Sequence, residues 1–454
     1  MNETHTIADE KYEFKSGARS KLFMLFGAGL LLFVIGVFMA MSGGSEGEHG
    51  KAQAGTEISK SLLASAQPAE GEHALKEEHH STAPWLKRIY TSLWMNNVFF
   101  TGLGIIGLFF IAIQYAAQAG WSAGLKRIPL AMGHWIPIAG IMMLVLWFVV
   151  KGEVFHWTHA NLYDKTSEHY DKILDGKSGF FFWPMAAGGF PIFFVLRMVA
   201  FFGLWHLFFI WIKKEMLAED IDGSLEHWHT SRKLSAIFLI IFGISSSMAA
   251  WDWVMSIDSH WFSTMTGWYV FASWWVTGLA TITFITVSLK EAGYLKVVNS
   301  NHLHDLGKFV FAFSIFWTYI WFSQFMLIFY ANIPEETVYF IQRRTVAPYS
   351  WIFFANLILN FVLPFLLLMT RDAKRQISML KVVCPIVIVG HWLDYFNMVT
   401  PGVMMGQGGL GLLEIGIALM FVAAFLFVTL TSLTKFPLVP KNDPMMQESL
   451  GHHI

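Results

Sequence analysis

The sequence predicts an all-α, polytopic membrane protein, and three observations carry that prediction. Of its 454 residues, 55% are hydrophobic and 17% aromatic, while only 14% are charged; a soluble domain carries about 25%. The apolar residues come in runs of about 20, the length at which a helix crosses a hydrocarbon core. Basic residues gather in every second connection between those runs, a segregation hidden by the formal net charge of −1. The one cysteine, Cys384, lies inside an apolar run. A single cysteine gives no intramolecular disulfide, thiolate zinc site or four-cysteine iron–sulfur cluster. No Cys-x-x-Cys-His motif occurs, which excludes covalent c-type haem. Phosphate loops, nucleotide fingerprints and catalytic serine or cysteine arrangements are also missing. No nucleic-acid partner is expected.

About ten spans are predicted, near 22–41, 97–118, 129–150, 190–212, 234–255, 267–289, 308–331, 349–369, 380–400 and 411–433. The first follows a polar arm, residues 1–21, and ends in Met41-Ser42-Gly43-Gly44. That ending could pass for a signal-peptide cleavage region, but about 20 apolar residues fit a retained helix better. From Ser42 to His80 the chain is rich in Gly, Ala, Glu and His and lacks aromatics, as in a flexible external insertion. Its His49, His73, His79 and His80 read as a solvated cluster rather than a metal site. After Pro84, the residues Trp85, Ile89, Leu93 and Trp94 set against Lys87 and Arg88 predict an interfacial helix leading into the second span. The connection Gly152 to Gly189 mixes charged residues with His156, Trp157, His159 and Tyr163. It is expected to cover the external face or dock a partner.

Orientation follows from the basic residues. Lys11, Lys15, Arg19, Lys21, Lys126, Arg127, Lys213, Lys214, Arg232, Lys233, Arg371, Lys374 and Arg375 all fall on one side. The short opposite connections 256–266 and 401–410 hold no Lys or Arg. The positive-inside bias then places both termini in the cytoplasm.

Polar residues inside the spans are the functional candidates. The stretch Lys381 to Gly402, KVVCPIVIVGHWLDYFNMVTPG, holds His391 and Asp394 three residues apart, hence on one helix face. Ionising one group at that depth costs roughly 2.5–3.5 kcal/mol, so the face should look into protein or trapped water. The pair either satisfies itself within a bundle or serves a proton or quinone site. With the orientation above, His134 and His206 lie roughly 8–10 Å inside the cytoplasmic boundary. Arg197, Asp252, Asp394 and Glu414 fall in the external half, with His391 near the middle. Asp258 and His260 sit just outside, in WDWVMSIDSHWFSTMTGWY from Trp251 to Tyr269.

Three chemistries are compatible with these positions. Quinol oxidation needs bases that accept protons as electrons leave, a role for a His and a carboxylate at the external face. A bis-imidazole b haem needs two histidines at matched depth, as His134 and His206 are. A proton path would add Ser245, Ser246, Ser247, Thr281, Thr283 and Thr286 as relay groups. The plainer alternative pairs Arg197 with Asp252 and leaves the rest at helix ends. The aromatic excess belongs mostly to packing and to the interfacial belt.

Several stretches together resemble a known family. They are KRIPLAMGHWIPI (Lys126 to Ile138), HWTHANLYD (His156 to Asp164), the Trp251–Tyr269 stretch, YANIPEETVYF (Tyr330 to Phe340) and GHWLDYFNMVTPG (Gly390 to Gly402). In order and placement at span ends the set is similar to the ActF subunit of bacterial alternative complex III, a relative of the NrfD/PsrC membrane proteins. The resemblance implies two four-helix bundles, 97–255 and 256–400, flanked by the helices 22–41 and 401–433, with a cytoplasmic tail 434–454. It implies a subunit of a quinol:electron-acceptor oxidoreductase in a bacterial inner membrane, working on menaquinol or ubiquinol and not catalytic alone. The chain would then bind no cofactor itself. Haem c and iron–sulfur clusters would belong to partner subunits, which would also include an ActC-type paralogue carrying the better-supported quinol pocket. A purely structural anchor is the main alternative and a haem-b electron carrier the next.

Overall fold

A computed structural model of the chain describes residues 10–42 and 82–453. The predicted external insertion and its four histidines lie almost wholly outside the described residues. The rest is helical: α1 (Ser16–Ser42), α2 (Pro84–Ala116), α3 (Arg127–Val154, tightened to a 3-10 turn at Gly133–Trp135), α4 (Lys172–Phe182), α5 (Ile192–Asp222), α6 (Leu225–Trp253), α7 (Met265–Glu291), α8 (Ser300–Ala331), α9 (Pro334–Thr345), α10 (Tyr349–Leu367), α11 (Ile377–Met404), α12 (Leu412–Leu433) and α13 (Met446–Leu450). Ten of them are long and apolar enough to cross a membrane. The chain is a multi-pass, all-α membrane protein.

The helix ends depart from the sequence expectation in one informative place. The interfacial helix and the second span are one rod, α2, which starts at Pro84. Proline suits the first helical turn, where its missing N–H costs nothing. Arg88 is therefore carried on the rod itself, within reach of α12.

Packing closes two rings of four helices. In the first, α2 meets α3, α3 meets α5, α5 meets α6, and α6 returns to α2. In the second, α7, α8, α10 and α11 do the same, and the rings join along α2, α6, α7 and α11. The central helices α2 and α7 are 89% buried over their apolar windows, against 28% for α8 and α10. Small residues let α2 and α7 approach: a Cβ on Gly102 would lie 1.8 Å from the Trp274 indole, and one on Gly278 would lie 2.1 Å from Ile106. Membrane helices gain contact area in this way, because lipid gives them no hydrophobic reason to associate. Outside the rings, α1 lies against α12 through Gly29, Gly36 and Gly416; a Cβ at Gly36 would come within 2.3 Å of the Leu413 nitrogen.

The described residues nearest the two ends of the chain meet on one side. Leu438 N donates to Glu10 O. The tail then crosses under both rings, with Asp443 on Lys126 at 2.6 Å and His452 on Asp305 at 2.6 Å. On the opposite side the long connection after α3 is packed: Trp157 stacks on Phe181 at 4.0 Å and its carbonyl accepts a bond from the Tyr163 hydroxyl at 2.7 Å. It covers the end of the first ring opposite the tail.

One helix in the second ring is deformed. A π turn, Ile358–Val362, interrupts α10 just before Pro364, where a proline removes a helix donor. The turn directs buried Asn360 at α11, so that a Cβ on Gly390 would meet its Oδ1 at 2.1 Å. Gly390 precedes His391.

Candidate functional site

Helix α11 carries His391 and Asp394 into the middle of the second ring, their side chains 0% and 1% exposed. The shared interior face agrees with the three-residue spacing. The direct pairing does not: His391 Nδ1 lies 3.9 Å from Asp394 Oδ2, beyond a hydrogen bond. Nδ1 instead faces Ser273 Oγ of α7 at 2.9 Å, and Nε2 has no partner among the described residues. The Asp394 carboxylate takes a hydrogen bond from each neighbouring helix of its ring. The Tyr269 hydroxyl (α7) and Asn356 Nδ2 (α10, 3.3 Å) donate to Oδ1, and Trp317 Nε1 (α8, 3.2 Å) donates to Oδ2. All three donors are neutral.

The other candidate carboxylates are each tied to a cation or a solvent-side partner. Arg197 grips Asp252 with two bonds of 2.7 Å, donates to Phe180 O at 2.8 Å, and lies 4.2 and 4.4 Å from the rings of Phe180 and Phe193. Arg88 grips Glu414 with two bonds of 2.9 Å, and the same carboxylate caps α12 through Gly411 N. Asp258 accepts from Arg343 at 2.6 Å. Burial pushes the Asp258 carboxyl up and Arg343 opposes the shift. Arg197–Asp252 thus joins α5 to α6, and Arg88–Glu414 joins α2 to α12.

Arg343 was not a sequence candidate, since an Arg pair outside a span reads as a headgroup anchor. Its burial has a specific cause. Pro401 lies inside α11 and has no N–H to offer Asn397 O four residues back. Arg343 Nε supplies that bond at 2.8 Å, while Nη2 donates to Met398 O at 2.9 Å. The guanidinium lies 3.4 Å from the Tyr339 ring centre, and Tyr339 in turn stacks on Trp261 at 3.8 Å.

His260 is half exposed and joins Asp171, the cap of α4, at 2.5 Å. Partial burial raises the Asp171 carboxyl, but the bonds from His260, Leu174 N and Ile173 N outweigh it and hold it at about 2. A depressed carboxylate stabilises above its ordinary value of 3.8 and loses that effect as pH falls through about 2. Protease protection of the connection before α5 should therefore be greater in wild type than in Asp171→Asn above that ordinary value, and the two should converge in stronger acid. Equal protection at every pH would show that the contact does not order this connection.

His134 and His206 both lie against one aromatic ring, that of Phe209, at 5.0 and 6.2 Å, and His134 Nε2 meets Lys213 Nζ at 2.8 Å. The relay hydroxyls turn elsewhere. Those of Thr281, Thr283 and Thr286 donate to carbonyls one turn back on α7, and Ser245 accepts from Trp205.

Two hollows lie in this ring, and Asp394 lines the smaller of them. One is a polar cavity of about 20 Å³ bounded by Asp394, Tyr269, Gln324, Arg343, Tyr339 and Asn397, room for about one water molecule. The second is an apolar groove of about 330 Å³ bounded by Thr318, Trp321, Phe322, Phe325, Phe353 and Arg344. Trp321 and Phe353 line both. Fold and site together define a polytopic helical membrane protein with a buried carboxylate hydrogen-bonded by three neutral donors; the cavity it lines shares Trp321 and Phe353 with an apolar groove. No protein-family model matches the chain, and no curated protein matches its sequence.

Proposed function

We propose that the chain is a membrane subunit of a quinol:electron-acceptor oxidoreductase of the alternative complex III type, and that its second ring receives quinol and accepts a proton from it. The observation that carries this reading is the junction of the two hollows at Trp321 and Phe353. The groove suits a flat ring with an isoprenoid tail, since its walls are aromatic and apolar. The polar cavity is too small for a quinone ring and suits one bridging water. A quinol hydroxyl in the groove would pass its proton through that water to Asp394. Two electrons leave with two protons when a quinol becomes a quinone; one proton goes to Asp394 and the other to the aqueous phase. The electrons go to a redox centre of a partner subunit, an iron–sulfur cluster or c-type haem. In this reading the membrane is a bacterial inner membrane, both termini are cytoplasmic, and an ActC-type paralogue is a neighbour.

The first ring supports a second role, as an anchor, because its buried ion pair Arg197–Asp252 is a clamp. A photoactivatable quinone analogue, applied to the whole complex, separates the two. Labelling of α8 or α10 near Trp321 and Phe353, lost in Trp321→Ala, is expected. Labelling confined to other subunits would leave this chain as an anchor.

A further inference from the structure

A second polar centre lies at the end of the first ring that carries the chain termini, far along the sequence from Asp394. Glu219 sits near the last turn of α5, 3% exposed. Its charged neighbours come from every element packed around it: Lys126 and Arg127 at the start of α3, Asp220 of α5 and Asp443 of the tail. Tyr115 of α2 and Ser231 of α6 complete the surround. The two cations are already engaged. Lys126 is bonded to Asp443 at 2.6 Å and lies 4.1 Å from the Tyr115 ring centre, and Arg127 is paired with Asp220. Among the described residues, Glu219 is left without a cation in contact.

The same place gathers buried polar atoms that have no hydrogen-bond partner among the described residues. They are Glu219 Oε1, Arg127 Nε and Nη1, the Tyr115 hydroxyl and the Ser231 hydroxyl. Tyr115, Arg127 and Ser231 are each at most 1% exposed. A buried donor or acceptor left unmet is costly, so such a concentration calls for a bound species. Donors and an acceptor occur together, which suits water better than an anion or a metal ion. The balance of charge is two cations against three carboxylates, and it returns to zero when one carboxylate takes a proton.

We infer that Glu219 is a proton-carrying carboxylic acid in a hydrated buried site, exchanging its proton with the aqueous phase on the side of the termini. The site takes one proton and forms one O–H bond, and its waters are held by Tyr115, Arg127 and Ser231. It does not depend on quinol binding in the second ring.

Infrared difference spectroscopy on the full chain in lipid discs, through a pH change, tests it. A carboxylic acid C=O band is expected that shifts in heavy water and is lost in Glu219→Gln. Tyr115→Phe should shift the band without removing it, and this gives a readout even where the glutamine variant fails to fold. Asp394→Asn should leave the band in place, so failure of the quinol reading and failure of this one are distinguishable. A spectrum unchanged in both Glu219→Gln and Tyr115→Phe would overturn the inference.

Discussion

Asp394→Asn is expected to slow quinol oxidation by about 100-fold in the intact complex, the lower end of what a positioned acid–base group contributes. Assembly should survive. Asparagine keeps the size of the side chain, and its amide oxygen can still accept from Tyr269 and Asn356 in the place of Oδ1. Its amide nitrogen would face Trp317 Nε1, so that one bond of 3.2 Å is lost. Asp394→Leu should behave differently. It strands three buried donors at once, on α7, α8 and α10, at about 1–3 kcal/mol each. The membrane discounts that figure, because measured interhelical hydrogen bonds there average about 0.6 kcal/mol. Even so, a loss of complex yield is expected for leucine and not for asparagine. Turnover and proton release in purified Asp394→Asn complex, compared with wild type, decide the functional part. Unchanged values for both would reduce Asp394 to a packing residue that holds the second ring closed.

The fold class was legible because membrane length and charge segregation are one-dimensional signals. Spans of about 20 apolar residues and clustered Lys and Arg need no tertiary information. The spacing of His391 and Asp394 likewise fixed their common face. Which groups they bind was not legible, since Tyr269, Trp317 and Asn356 come from three other helices and look in sequence like ordinary belt or packing residues. Arg343 was hidden for a related reason. Its partner is a backbone carbonyl freed by Pro401, far along the chain, and only the packing of α9 against α11 brings the two together. Matched depth of His134 and His206 says nothing about rotation around the helix axis, so the Phe209 ring that lies against both was not legible. Glu219 was passed over as one acid in a charged helix end, LAEDID, where nothing local marks it as buried.

The Arg197–Asp252 clamp gives the largest expected loss of stability. Asp252 is fully buried, and its carboxylate oxygens take the two guanidinium bonds. Arg197→Leu leaves that carboxylate without a cation, and breaking a buried pair from one side costs about 3–5 kcal/mol. Asp252→Leu should cost less than Arg197→Leu, for the guanidinium keeps Phe180 O and the two aromatic rings that flank it. The double variant Arg197→Leu with Asp252→Leu removes both desolvated charges. Replacing a buried pair by apolar groups is often nearly neutral, so the double variant should recover most of what Arg197→Leu loses. Thermal unfolding of the four proteins in lipid discs measures the cycle. Strict additivity of the two single losses would mean that the residues act separately and that the bidentate contact contributes no coupling. Recovery in the double variant would show that the pair is held by mutual neutralisation, since once either partner is present the other is needed to neutralise it.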